Sequence, residues 1–315
     1  MGFDTLLGND RLKQNLAESL AKDHISHFYL ISGPKGSGKK TLAKLLAQAI
    51  LCQGHRKPCG VCESCRKLVN SNHPDFITVE DPEHKNVAVK IVRAFREDVF
   101  IRPNESDYKV YLFPQDLGVE GQNALLKILE EPPKYGIFLL LTDNPEKILP
   151  TVRSRCTELK MQALSQEILG TYLSARFPDT PREDIAAAAL RSGGFAGQAL
   201  ELLESGGTVP PQTEDFINAL SSRNSLLLAQ TLVPMEKWKR DALGEILQSW
   251  LELTEEALAS RSGRPALSPH ARTLSQSRTP AELLELGRCL RKAADYTMSN
   301  VSPAAVCGWL VWTLR

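Results

Sequence analysis

The chain opens with two hydrophobic periods in alternation. An amphipathic stretch at 9–21 leads to an apolar run at 27–32, a glycine-rich loop, and a helix-patterned segment at 41–51. This reads as helix, strand, loop, helix. Further strand-like runs fall at 75–79, 109–113 and 136–142, with helical patterns at 89–99 and 121–131 between them. Strands separated by helices predict an α/β core, a parallel sheet covered on both faces. Past Leu159 the strand pattern stops, and 165–177, 181–192 and 196–203 predict three short helices. Residues 204–212 (ESGGTVPPQ) have linker composition, and helical patterns resume at 214–219, 225–232, 238–259 and 280–296. The Ser-, Arg- and Pro-rich stretch 261–279 predicts a loop between two of them.

Length and charge narrow the classes. A chain of 315 residues exceeds the size at which single cores usually split, so two or three domains are expected. Lys plus Arg (38) balance Asp plus Glu (37), so no global field draws the chain to DNA or an anionic membrane, and any nucleic-acid contact is local. The N-terminal residues lack a signal-peptide pattern and no apolar run is long enough to span a bilayer, which predicts a cytoplasmic protein with reduced thiols. Four of the seven cysteines, Cys52, Cys59, Cys62 and Cys65, form C-x6-C-x2-C-x2-C. Four soft ligands at this density predict a closed, structural Zn²⁺ site, and the polar residues between the first two have no packing role without a metal. His55 is a reserve ligand. An iron–sulfur cluster is the chemical rival, but the fourth Cys followed by Pro is absent. A thiol redox enzyme would show a C-x2-C pair standing alone. Cys156, Cys289 and Cys307 are expected to be packing residues.

The segment Gly33-Pro34-Lys35-Gly36-Ser37-Gly38-Lys39-Lys40-Thr41 follows an apolar run and opens a helix. Gly33, Gly36, Gly38, Lys39, Lys40 and Thr41 are therefore the candidate phosphate-binding residues of a P-loop. The motif is degenerate. A hydroxyl must follow the lysine to ligate Mg²⁺, and Lys40 stands there, with Thr41 rotated by about 100° around the helix. A hydrolytic site also needs an Asp, then a Glu, after a neighbouring strand, and the run at 109–113 ends in Pro114-Gln115. Asp116 reads as a loop or helix-cap residue rather than a displaced metal ligand. The loop is expected to handle Mg-ATP poorly.

Gln122-Asn123-Ala124-Leu125-Leu126-Lys127-Ile128-Leu129-Glu130-Glu131-Pro132-Pro133, followed by the run at 137–142 and then by Arg153-Ser154-Arg155-Cys156, resembles the clamp-loader branch of the AAA+ superfamily. With Leu7-Gly8-Asn9 and the helical second half, the resemblance spans essentially the whole chain. It implies a sheet core at 1–160 carrying a zinc-binding insertion at about 52–68, a helical lid at 161–205, and an all-α oligomerisation collar at 212–315. It further implies that Arg155 is an arginine finger acting in trans on a neighbour's ATP, that Thr142 occupies a sensor position, and that a lid arginine is replaced by Gly197 or Gln198. Those losses point to a delta-prime-type stator of the bacterial polymerase III clamp loader, partnered by gamma/tau motor subunits and delta. The sliding clamp and primer-template DNA would be reached through the complex. An active gamma/tau-like ATPase keeps the fold but needs the missing groups. A zinc-dependent nucleic-acid-binding regulator needs a basic face that the near-neutral charge does not supply. The Trp309- and Trp312-bearing end at 301–314 suits burial in the collar or a simple intrachain core.

Overall fold

The computed structural model describes every residue except Met1, Arg56, Lys85, 205–209, 263–267, Asn300 and Arg315. The chain divides into two compact units, Met1–Glu204 and Ser205–Arg315.

In the first unit, helix α1 (Asp10–Ala21) precedes strand β1 (Phe28–Ser32), whose five residues are all buried. Next come α2 (Lys39–Ile50), α3 (Glu63–Val69), β2 (Phe76–Thr78), α4 (Val89–Asp98), β3 (Lys109–Phe113), α5 (Val119–Glu130) and β4 (Gly136–Thr142). The short α6 (Pro150–Arg153) and β5 (Thr157–Lys160) complete a five-stranded sheet of order β2-β3-β4-β1-β5. Every pairing is parallel. The α/β fold class read from the sequence is the one observed.

The sheet sorts its side chains by the two-residue period of a strand. Tyr29, Ile31, Val110, Leu112, Ile137 and Leu139 share a core with Leu42 and Leu46 of α2. Phe28, Leu30, Tyr111, Phe113, Phe138 and Leu140 face the other way, onto Val92 and Phe95 of α4 and Leu125 and Ile128 of α5. Strand β5 escaped the sequence reading because it is polar and edge-placed: only Leu159 of its four residues is buried.

Helices α7 (Gln166–Arg176), α8 (Arg182–Arg191) and α9 (Ala196–Glu204) gather around Leu169, Leu173, Ile185 and Ala199. Ser165 caps α7 by accepting the Ile168 N–H.

The second unit is all helical: α10 (Pro211–Ser221), α11 (Ser225–Leu232), α12 (Arg240–Arg261), α13 (Pro269–Ser277), α14 (Pro280–Met298) and α15 (Pro303–Leu314). Its centre is Trp250, stacked on Phe216 at 3.8 Å with its indole N–H donated to Thr213 Oγ1 at 2.9 Å. Helix α13 corrects the loop expected at 261–279. Ala271, Leu274 and Ser275 form a narrow buried stripe at helical spacing, concealed in the sequence by the surrounding Ser and Arg. Residues 263–267 of that stretch and 205–209 of the linker-like segment lie outside the described residues. Trp309 packs on this core, edge-on to Tyr296, while Trp312 is exposed. Among the described residues no helix is long and apolar enough to cross a membrane.

Candidate functional site

Strands β1, β3 and β4 deliver the candidate chemistry to one edge, because parallel strands end together where their following loops converge. The loop after β1 turns on glycines with positive φ, Gly36 at 77° and Gly38 at 90°, before α2 begins. A cleft of about 540 Å³ opens over it, lined by Lys35–Thr41 and Asp143 together with Leu6, Leu7, Leu164, Tyr172 and Leu200. Gly36, Gly38, Lys39, Lys40 and Thr41 thus meet in one place. Gly33 lies at the root of the loop, its N–H donated to Thr142 O.

Lys39 is already engaged. Its ammonium donates to Gly33 O (2.6 Å) and Pro34 O (2.8 Å) and pairs with Asp143 Oδ1 at 2.6 Å. Asp143 is a site residue that sequence reasoning missed, and its position immediately after a buried strand that ends beside the loop was the available signal. Helix α9 is fastened to the same loop. The Gly197 N–H donates to Gly36 O at 2.8 Å, and the Gln198 amide donates to Lys35 O at 2.9 Å. A Cβ at Gly197 would stand 2.6 Å from Gly36 Cα, so only glycine permits this approach.

The residues after β3 have structural occupations. The Gln115 side chain accepts the Asp81 N–H (2.7 Å) and donates to the carbonyls of Asp81 (2.9 Å) and His84 (3.0 Å), pinning the turn before α4. Asp116 is a loop residue and caps no helix. Gly118 is the N-cap of α5 and no side chain caps it, whereas Asp116 accepts the Thr142 hydroxyl at 3.1 Å and sits 3.7 Å from Lys147 Nζ. Thr142 itself is buried.

Arg155 lies outside that cleft, in the turn after α6. Its side chain is 40% exposed, held by Thr151 O at 2.9 Å and by Glu130 Oε1 at 3.4 Å. The two most distinctive sequence elements, the proline-closed helix and the Ser-Arg-Cys turn, therefore touch through this pair. Cys156 anchors the turn, half-buried with its thiol donating to Val152 O.

The four cysteines of the insertion converge, with all Sγ atoms within 4.8 Å of one another. Cys52–Cys62 and Cys59–Cys65 are each 3.9 Å apart, close to the ~3.8 Å edge of a tetrahedron with metal–sulfur bonds of about 2.3 Å. Backbone N–H groups of Gly54, Cys59, Cys62 and Cys65 point at the sulfurs. Hydrogen bonds from Val61 and Cys62 draw the Cys59 thiol down to about 6, while burial pushes Cys52 and Cys65 up. A bound cation would hold all four as thiolates. Helix α3 supplies two ligands, Cys62 as its N-cap and Cys65 in its first turn. The donor set is closed and fits a structural metal. His55 is exposed and stands outside the cluster.

A family model described as DNA polymerase III, delta subunit, matches residues 8–165. Among curated relatives, the tau subunit of DNA polymerase III from Bacillus subtilis is 29% identical over 90% of this chain and 48% of its own length. The delta' subunit of the same organism is 35% identical over 50% of this chain and 49% of its own. The gamma/tau subunit of Mycobacterium tuberculosis is 40% identical over 55% of this chain and 30% of its own. The chain thus spans about half or less of the length of these relatives.

Proposed function

The chain belongs to the DNA polymerase III, delta subunit, family, and from that premise we propose that it is a delta-prime-type stator of a clamp loader rather than one of its motors. The observation that carries this reading is Gln115. A motor needs a carboxylate at the end of β3 to hold metal or polarise water, and here an amide is committed to three backbone partners on the 81–84 turn. Lys40 in place of the metal-ligating hydroxyl, and Gly197 and Gln198 in place of a lid arginine, support the same conclusion. On this reading α7–α9 form a lid and α10–α15 a collar that joins partner subunits. The four cysteines hold zinc, which stabilises the insertion and takes no part in reaction.

Arg155 is then the chemical contribution of the chain. A partly exposed guanidinium, oriented by Glu130 and Thr151, suits delivery to phosphoryl oxygens bound by a neighbouring gamma/tau subunit. Delta, the sliding clamp and primed DNA are the other partners, reached through the assembly.

The matches to tau and gamma/tau subunits favour one alternative, an ATPase motor. Turnover by the isolated chain separates the two. The stator reading expects no DNA-stimulated ATP hydrolysis above background, and turnover at a motor's rate that Lys39→Ala abolishes would overturn it.

A further inference from the structure

At the positions that would hold magnesium, the cleft over the glycine loop offers no free ligand. Lys40 stands where the ligating hydroxyl belongs, the Gln115 amide is spent on the 81–84 turn, and Asp116 faces Thr142 and Lys147. Among the described residues, the one carboxylate that lines the cleft, Asp143, is paired with Lys39, and the Thr41 hydroxyl lies about 100° around the helix from position 40, so a hard dication that needs carboxylate and hydroxyl ligands is poorly served.

What remains fits a phosphate chain joined to a flat apolar group. At the loop end stand Lys39, Lys40 and the first-turn N–H groups of α2, which have no intrahelical acceptor. Ser37 also lines the cleft, and its Oγ is buried without a hydrogen-bond partner, the condition that a ligand or ordered water relieves. Asp143 offsets the charge of Lys39, and Lys40 supplies a further cation. Leu6, Leu7, Leu164, Tyr172 and Leu200 line the same cleft and give it apolar surface. An amphiphile carrying several negative charges matches this mixed cationic and apolar lining.

We infer that the cleft is a metal-free nucleoside polyphosphate site, in which the Lys40 ammonium takes the place and the charge of the magnesium ion. This deepens the stator reading and rests on it, since a nucleotide held without metal or a free carboxylate is retained rather than hydrolysed. Lys40 and Mg²⁺ compete for the same phosphate oxygens. By reciprocal linkage, a metal that is displaced by binding must itself weaken binding.

The test is a titration of the full chain with a fluorescent adenosine diphosphate, in EDTA and in excess Mg²⁺, with ATP and inorganic pyrophosphate as competitors. Saturable binding in EDTA is expected, weakened about tenfold by Mg²⁺, the scale of one charge-assisted contact. ATP should displace the probe better than pyrophosphate does. Lys40→Thr restores a hydroxyl and should abolish or reverse the metal effect, with Lys40→Gln weakening binding in EDTA. Unchanged melting temperatures would certify both folds, as expected for an exposed side chain. Absence of saturable binding in EDTA, tighter binding with Mg²⁺ in the wild-type chain, or an unaltered metal response in Lys40→Thr would overturn the inference. Pyrophosphate competing as well as ATP would overturn its nucleoside part. Hydrolysis by the isolated chain would sink the stator reading whatever the metal response, so the two failures are distinguishable.

Discussion

At the residue scale, polar side chains in the first unit carry the loops that the sheet cannot. Asp75 is fully buried. Its carboxylate accepts N–H groups from Asn104 (2.6 Å), Glu105 (2.9 Å) and Ser106 (2.9 Å), ordering the turn before β3. Burial pushes this carboxyl up, but the three backbone hydrogen bonds outweigh it and hold it below the usual carboxylate range. A group whose folded pKa is depressed contributes stability above its unfolded value, near pH 4, and that contribution is lost as pH falls through the folded value. Asp75→Asn should therefore cost about 1–3 kcal/mol at pH 7, with the deficit narrowing in acid. Urea unfolding at pH 7 and pH 3 checks this, and an equal deficit at both would show that the charge is not what holds the turn. Gln115 shows where sequence legibility ends at this scale. That it is no metal ligand follows from its chemistry, but its embrace of the 81–84 turn joins residues more than thirty positions apart, which no local pattern encodes. The Lys39–Asp143 pair escaped for the same reason.

At the element scale the insertion makes the sharpest predictions. Four thiolates closing one tetrahedron should hold one zinc per chain, measurable by elemental analysis, and acid or a strong chelator should release it because the ligands bind as thiolates. Cys59→Ser should lower zinc content and loosen the insertion while far-ultraviolet dichroism retains the sheet and helices. Gly54→Ala tests the geometry more finely. A methyl there would lie 2.9 Å from Cys59 Cβ and 3.0 Å from Cys59 Sγ, so faster zinc release to a chromogenic chelator is expected. Unchanged release would mean that the knuckle has room to spare. The donor set was legible because C-x2-C spacing is a local signal. Helix α3, which presents two of the ligands, was not, since its seven residues are too few to show a period. Strand β5 and helix α13 were missed for a related reason: each buries so little apolar surface that tertiary packing, rather than intrinsic pattern, decides its state. Long elements with continuous burial, β1, β3 and β4, were read to within a residue of their observed bounds.

At the scale of the whole molecule, a parallel sheet with a degenerate glycine loop is followed by a separate helical unit with its own aromatic-centred core. The sheet was legible because apolar runs alternate with helical periods. The close approach of Gly197 to Gly36 was not, because glycine carries no side-chain signal of the neighbour it admits. That contact predicts that α9 is held to the loop without nucleotide. Gly197→Val should separate them, raising amide hydrogen exchange in α9, and unchanged exchange would show that the contact carries no restraint. On the proposed function the chain hydrolyses nothing itself and lends Arg155 to a neighbour. That role is tested most directly by assembling the complete loader from wild-type partners and Arg155→Ala and measuring DNA-stimulated ATP hydrolysis together with clamp loading. Full assembly is expected, with hydrolysis at the adjoining site reduced by orders of magnitude, the scale of a guanidinium supplied in trans, and loading impaired with it. Undiminished hydrolysis and loading by the fully assembled mutant complex would contradict it.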